Sequence, residues 1–179
     1  GFDIYQKLDL LLDNDDWNQK IQFTYIGNLP NKFKFKNSNH ILPISGKKLA
    51  NEIKKNHVYL TGSLNEPSGN HHIEAAQCGM PILYIDSGGT PEYCEGFGLK
   101  FNNDNFENIL GEIMSEYSYY SKKMSSYPHN SEIMCKEYES LFIDLYKNKF
   151  EIINKRENKL GKNKFGKKIY SLKKAIKLK

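Results

Sequence analysis

The stretch from His57 to Phe101 leaves this chain few folds to choose from. A β-rich run, His57-Val58-Tyr59-Leu60, is followed by a broken segment, Thr61 to Gly69, that holds two glycines and a proline. Asn70 to Gly79 then reads as a helix whose small residues Ala75, Ala76 and Gly79 let it lie close to a sheet. Pro81 stops it, and Ile82 to Ile85 is a second apolar strand. Two strands joined through a helix form a parallel pair with a right-handed crossover. The implied fold class is α/β, a Rossmann-like parallel sheet flanked by helices. Ligands of such sheets bind at the carboxyl ends of the strands. Glu66, the Ser68-Gly69-Asn70 turn and Ser87-Gly88-Gly89-Thr90 all fall there.

The residue types at that edge point to a particular ligand chemistry. A helix opening at Gly69 or Asn70 offers unpaired backbone N–H groups and the positive end of its dipole, a natural seat for phosphate. Gly69 has no Cβ to keep an anion away. Glu74 lies four residues past Asn70, about one turn (~5–6 Å) along the same face. An ionised carboxylate only accepts hydrogen bonds, so beside a phosphate it suits a pair of ribose hydroxyls. Glu66, on the loop before the helix, addresses whatever lies beyond the phosphates. The pattern fits a nucleoside diphosphate carrying a hydroxyl-rich group, a nucleotide sugar.

Glu66-Pro67 through Glu74-Ala75, then Cys78-Gly79-Met80-Pro81, Gly88-Gly89 and Pro91-Glu92, resembles the donor-site signature of retaining GT-B glycosyltransferases of the family-four type. Gly1-Phe2-Asp3-Ile4 is also similar to the residues after the lysine in that family's Lys-Gly segment. The resemblance spans roughly residues 1 to 120 and implies the C-terminal, donor-binding half of a GT-B architecture. It implies that Glu66 contacts the transferred sugar and is the catalytic candidate, and that Glu74 holds the ribose. Ser68, Gly69 and Asn70 would hold the diphosphate, Gly88 and Gly89 would help to enclose phosphate or sugar, and Pro43, Ile44 and Ser45 would neighbour the base. No cofactor and no metal ion are expected. The family's arginine and lysine phosphate clamp and its acceptor-binding N-terminal domain lie outside this sequence, so the chain is expected to be part of a longer protein and inactive alone.

Elsewhere the pattern is plainer. Phe2, Tyr5, Leu8 and Leu12 predict a helix over residues 1–12, ended by the polar turn Asp13-Asn14-Asp15-Asp16. The Asp-x-Asp in that turn comes after a helix rather than at a strand end and reads as a solvated turn. Ile21 to Gly27 predicts a strand, residues 31–39 a lysine-rich loop, and Ile41 to Ile44 an edge strand interrupted by Pro43. Ser45-Gly46 opens a helix, and Gly96 to Phe101 is a last short strand. Asp104 is positioned to cap a helix with Phe106, Ile109, Leu110 and Ile113 on its buried stripe. Ser131 opens a longer helix whose Ile133, Tyr138, Leu141, Phe142, Leu145 and Phe150 form an apolar face for core or interdomain packing. His71 and His72 point about 100° apart on a helix and make no two-ligand metal face. They read either as donors to a substrate or as a solvent-facing pair. Glu92 reads as complementing a helix dipole or as part of the site.

The chain of 179 residues, 39% hydrophobic, supports one α/β core. It is read as a donor domain over 1–125, a closing helix over 126–150 and a tail over 151–179. It has no apolar run of about eighteen residues to span a membrane. Three cysteines without metal-like spacing fit reduced thiols and a cytoplasmic location. Residues 147–179 hold thirteen Lys or Arg and two Glu, so this tail carries +11 of a chain whose net charge is +5, and residues 1–146 carry −6. Within it, Phe165, Ile169, Leu172 and Ile176 among lysines fit an amphipathic helix on an anionic membrane surface at the cytoplasmic face. A solubilising disordered tail fits equally. Two other functions remain: a nucleotide-sugar epimerase on the same fold, and a nucleic-acid or anionic-polymer binding module using the tail. The acidic core argues against a specific nucleic-acid partner.

Overall fold

The computed structural model describes residues 1–161 and is α/β, with parallel strands flanked by helices. The chain divides into two compact units, Gly1–His129 and a second that begins at Asn130. In the first, β1 (Thr24–Ile26) pairs with β2 (Asn39–Ile41), and a separate sheet runs in the order β3 (Tyr59–Thr61), β4 (Ile82–Ile85), β5 (Gly98–Phe101). Every pairing is parallel. The helices of this unit are α1 (Asp3–Leu11), α2 (Asp15–Asn18), α3 (Gly46–Ile53), α4 (Asn70–Gln77), α5 (Thr90–Cys94), α6 (Phe106–Ser115) and α7 (Tyr117–Lys123).

The core is built on both faces of β4. Side chains alternate along a strand, so Leu83 joins one cluster and Ile82 and Tyr84 another. Leu83 packs with Ile4 and Leu8 of α1 and with Phe106, Leu110 and Ile113 of α6. On the other face lie Ala76, Cys94, Met124 and Tyr127. Each aliphatic side chain so buried contributes roughly 1.5–3 kcal/mol. The strand β5 comes close because of Gly98: a Cβ there would stand 1.8 Å from the Ile82 carbonyl oxygen. A similar close approach holds α1 against the end of β3, where a Cβ on Gly62 would meet the Ile4 side chain at 2.3 Å.

Asp9 fixes α1 to the loop before β2, and no sequence pattern marks it. It sits on the buried side of the helix, 4% exposed. Its Oδ2 accepts from the Lys36 N–H (2.8 Å), and its Oδ1 accepts from the Asn37 N–H (2.9 Å) and the Ser38 hydroxyl (2.6 Å). Burial alone would raise this carboxyl's pKa. The hydrogen bonds from Ser38, Lys36 and Asn37 outweigh it and hold the group below the ordinary carboxylate value.

Several boundaries differ from expectation, each for a local reason. The edge strand lies at Asn39–Ile41 rather than at 41–44. The Asn39 N–H donates to the Phe23 carbonyl and the Gly27 N–H to the Ile41 carbonyl, and Pro43 has no N–H with which to continue. The acidic turn after α1 contains the short helix α2, opened by the Asn14 side chain, which accepts from the Asp16 N–H at 2.8 Å. Asp104 does not cap α6. Asn102 Oδ1 accepts from the N–H groups of Asp104 and Asn105, while Asn105 Oδ1 accepts from the Asn102 N–H.

The second unit contains α8 (Ser131–Lys147) and α9 (Lys149–Gly161). Its first helix is capped by Asn130, whose side chain accepts from the Ile133 N–H at 2.9 Å. The apolar face read as suited to core or interdomain packing is exposed here: α8 has no buried residue, and Ile133, Tyr138, Leu141, Phe142 and Leu145, with Phe150 of α9, are all exposed. The amphipathic stretch from Phe165 onward lies outside the described residues. No helix among the described residues is long and apolar enough to cross a membrane.

Replacing Asp9 by alanine leaves three donors without their acceptor and should lower stability by about 2–4 kcal/mol in urea unfolding. Because this carboxyl's pKa is lowered by folding, its contribution is present above the unfolded value of about 3.9 and is lost as pH falls below it. The variant should therefore lack the parent's steepest acid destabilisation below about pH 4.

Candidate functional site

The loop bearing Glu66 is held by backbone stacked on backbone. Asn65 takes a left-handed conformation (φ 55°), and its N–H donates to Ser87 Oγ at 2.8 Å. The Gly89 N–H donates to the Glu66 carbonyl at 2.7 Å. Gly88 is also left-handed (φ 62°), and a Cβ on it would lie 2.3 Å from the Glu66 carbonyl oxygen. A Cβ on Gly89 would lie 2.3 Å from that of Pro67. The glycine pair therefore lets two loops touch. The Gly89 amide, in the turn expected to help enclose phosphate or sugar, donates to the Glu66 carbonyl.

Beyond this cradle the chain turns into α4, and its opening is already occupied by side chains. Glu66 Oε1 accepts from the Ser68 N–H at 3.3 Å, and Ser68 Oγ lies 3.2 Å from the Tyr93 hydroxyl. The space that a Cβ on Gly69 would take is bounded by His71 Nε2 at 2.7 Å and Glu66 Cγ at 3.0 Å. An anion approaching Gly69 must displace the His71 ring. Gly69 stands at the cap position of α4 with no side chain bonded there, so the first turn, beginning at the exposed Asn70, retains its unpaired N–H groups.

The two histidines are not a solvent-facing pair. His71 is half-buried, and its Nδ1 lies 3.1 Å from the Tyr59 hydroxyl. Burial lowers its pKa, and the carboxylates of Glu66 and Glu74 pull it partly back. The ring thus feels both glutamates at once. Tyr59 is pushed well above the ordinary phenol value by burial, with Tyr5 and Glu74 adding to it, and stays protonated. His72 is fully buried, and neither ring nitrogen has a hydrogen-bond partner. It packs edge-on against His71 (4.9 Å between centroids) and tilted against Tyr93 (5.4 Å). Burial, with His71 and His129 adding to it and Glu66 opposing, lowers its pKa to about 4. At neutral pH it is an uncharged imidazole.

A cavity of about 300 Å³ opens beside this cluster, lined by Glu74 and His71 on one side and Pro43 and Ile44 on the other. It thus unites the ribose candidate with two of the three base candidates. Ser45 is exposed and outside the lining; Glu66, Ser68, Gly69, Asn70, Gly88 and Gly89 also lie outside it, with Gly69 buried and Glu66 and Gly89 half-buried. His71 is the link, lining the cavity while packing over Gly69. Glu92 is exposed in the first turn of α5, where its charge suits the helix dipole. Among the described residues no three His, Cys, Asp or Glu side chains converge as a metal site requires. Sequence reasoning missed Tyr59, whose hydroxyl only the tertiary fold brings to His71, and the left-handed Asn65 that turns the loop beside Glu66.

Because the His72 pKa is lowered by folding, the unfolded chain binds more protons between pH 6.5 and about 4. Stability should be full above pH 6.5 and fall by roughly 3 kcal/mol as pH approaches 4. The variant His72→Leu should raise the urea midpoint at pH 7 and flatten this limb, because it removes a buried polar group that has no partner.

Comparison with known proteins adds no relative to this geometry: no family model matches the chain, and no curated protein matches it.

Proposed function

We propose that Gly1–His129 is the donor-binding half of a retaining glycosyltransferase, which moves a sugar from a nucleoside diphosphate to an acceptor hydroxyl with its anomeric configuration kept. The observation that carries this reading is the cavity in which Glu74 and His71 face Pro43 and Ile44 beside the first turn of α4. The base lies against Pro43 and Ile44, with Ser45 at the rim, and Glu74 accepts from the ribose hydroxyls. The diphosphate seats on the N–H groups at Ser68, Gly69 and Asn70 once the His71 ring swings away and the Glu66 carboxylate releases the Ser68 N–H. There the helix end stabilises the negative charge that grows as the bond from sugar to diphosphate breaks. Glu66, on the loop held by Gly88 and Gly89, orients the sugar and forms no covalent bond to it. The acceptor comes from a partner domain, and no metal takes part.

The test is calorimetric titration of the chain with UDP, GDP and ADP. One diphosphate should bind saturably, and Glu74→Ala should weaken it at least tenfold, about 1.4 kcal/mol. Absence of binding to all three by a protein that also carries the family's phosphate clamp would overturn the reading.

Within the same proposal, the +11 tail brings the enzyme to an anionic membrane at the cytoplasmic face, where lipid-linked acceptors reside. The chain should cosediment with phosphatidylserine vesicles at low salt and not with phosphatidylcholine vesicles. A chain ending at residue 146 should remain in solution with both.

A further inference from the structure

The first turn of α4 is bordered by two carboxylates and by one accessible group able to become a cation. Glu66 leans over the turn from the preceding loop. Its Oε1 accepts from the Ser68 N–H, and its Cγ lies 3.0 Å from where a Cβ on Gly69 would be. Glu74, on α4 itself, lines the adjoining cavity. Among the described residues of that lining there is no lysine or arginine. The charges felt by the paired rings of His71 and His72 come from Glu66, Glu74 and His129. A diphosphate arriving here adds negative charge beside two carboxylates, and like charges so placed repel unless a cation forms between them.

His71 is placed to form it. Its Nε2 stands 2.7 Å from the position of the absent Gly69 Cβ and has no hydrogen-bond partner among the described residues. Its Nδ1 is held 3.1 Å from the Tyr59 hydroxyl. A hydroxyl donates to a neutral Nδ1 and accepts from a protonated one, so the ring gains a proton without losing this contact. Burial keeps Tyr59 itself in the phenol form. The His71 ring is half-buried and reaches the cavity, which gives both water and ligand access to it.

The other titratable groups around the ring do not compete for the proton. His72 lies edge-on at 4.9 Å between centroids, is fully buried, and with its pKa lowered to about 4 is uncharged at neutral pH. Tyr93 of α5 packs on the far ring, His72, at 5.4 Å, and His129 packs on Tyr93 at 5.1 Å. In the empty site burial lowers the His71 pKa against the pull of Glu66 and Glu74, so this ring too is neutral at pH 7.

We propose that His71 is a proton-coupled diphosphate ligand: as the anion reaches Gly69 the ring tilts off it on its Tyr59 contact, takes one proton from solvent, and as imidazolium donates through Nε2 to a phosphate oxygen. The proposal rests on the donor-site reading above and adds to it a residue and a charge. The cation offsets Glu66 and Glu74 while the donor is bound. It also stands beside the diphosphate as the bond to the sugar breaks, where negative charge grows. A ligand that favours imidazolium raises the His71 pKa from its lowered value in the empty protein. Affinity therefore rises as pH falls through the interval between the empty and the loaded pKa, by up to about tenfold per pH unit for one proton. The second ionisation of a phosphate, at about pH 6, acts in the opposite direction, so the comparison is with His71→Gln at the same pH.

The test is calorimetry on the full chain with UDP, GDP and ADP between about pH 5.5 and 8.5, in buffers of different ionisation enthalpy so that protons are counted. For the diphosphate that binds, the parent should take up about one proton more than His71→Gln at the maximum, and its advantage in affinity should grow as pH falls. A second readout needs no variant: the His71 Cε1–H resonance should titrate about one pH unit or more higher with the diphosphate than without it, while His72 stays neutral down to about pH 5 in both states. Circular dichroism checks that His71→Gln is folded, and the resonance decides if it is not. Equal pH dependence in parent and variant, or a His71 resonance unmoved by bound diphosphate, overturns the coupling and leaves the donor site standing. A full chain that binds none of the three overturns the coupling as well, and the donor reading falls with it only if the protein carrying the phosphate clamp also fails to bind.

Discussion

The strand β4 is the member on which the first unit depends, because it is buried on both faces and paired on both edges. Leu83 organises α1 and α6, while Ile82 and Tyr84 organise the cluster that includes Ala76 of α4 and Cys94 of α5. The two loops that shape the candidate site are therefore anchored by elements packed on the same four residues. Burial of this kind needs no directional bond to specify it. It needs an uninterrupted apolar run and a neighbour bare enough to come close, and Gly98 supplies that on β5.

On that base the site is organised by contacts that leave polar groups neutral or internally bonded. Tyr59 and His72 are kept uncharged chiefly by burial, while His71 is poised between burial and two carboxylates. The result is a patch of aromatic and imidazole rings beside Glu74. A ligand that brought negative charge to the start of α4 would favour a protonated His71, whereas His72, behind it, has no exposed surface through which to respond. The pair thus divides into one ring that can answer to a ligand and one that belongs to the scaffold.

How much of this was legible in the sequence depended on whether the cause was local. The strand Ile82–Ile85 and the helix from Asn70 came from an apolar run, small residues and a proline, and the structure has them at those residues. The cap read at Asp104 was displaced, because Asn102, Asn103, Asp104 and Asn105 stand side by side and the backbone path alone selects among them, whereas the long helix opens at Ser131 as read. Asp9 was invisible: a lone acidic residue on a helix looks solvated, and its partners lie 27 to 29 residues away. In the site, Glu74, Pro43 and Ile44 line one cavity, while Gly88 and Gly89 let two loops touch, a contact that no sequence pattern marks. In the long helix α8 the apolar spacing is real, and periodicity says only that a face is suited to burial, not what buries it.

The glycines divide into two kinds with different evolutionary freedom. At Gly46, Gly79 and Gly96 nothing stands within 4 Å of a Cβ, and only the left-handed backbone restricts the residue, a conformation that asparagine tolerates. At Gly62, Gly88, Gly89 and Gly98 the obstacle is another segment's backbone or a buried side chain, and no rotamer can avoid it. Drift at these four positions is tied to the path of a distant segment: Gly88 and Gly89 to that of Glu66-Pro67, Gly98 to that of Ile82. In descendants of this chain, the first kind should vary singly, and the second should change only together with an insertion or deletion in the loop or strand it faces.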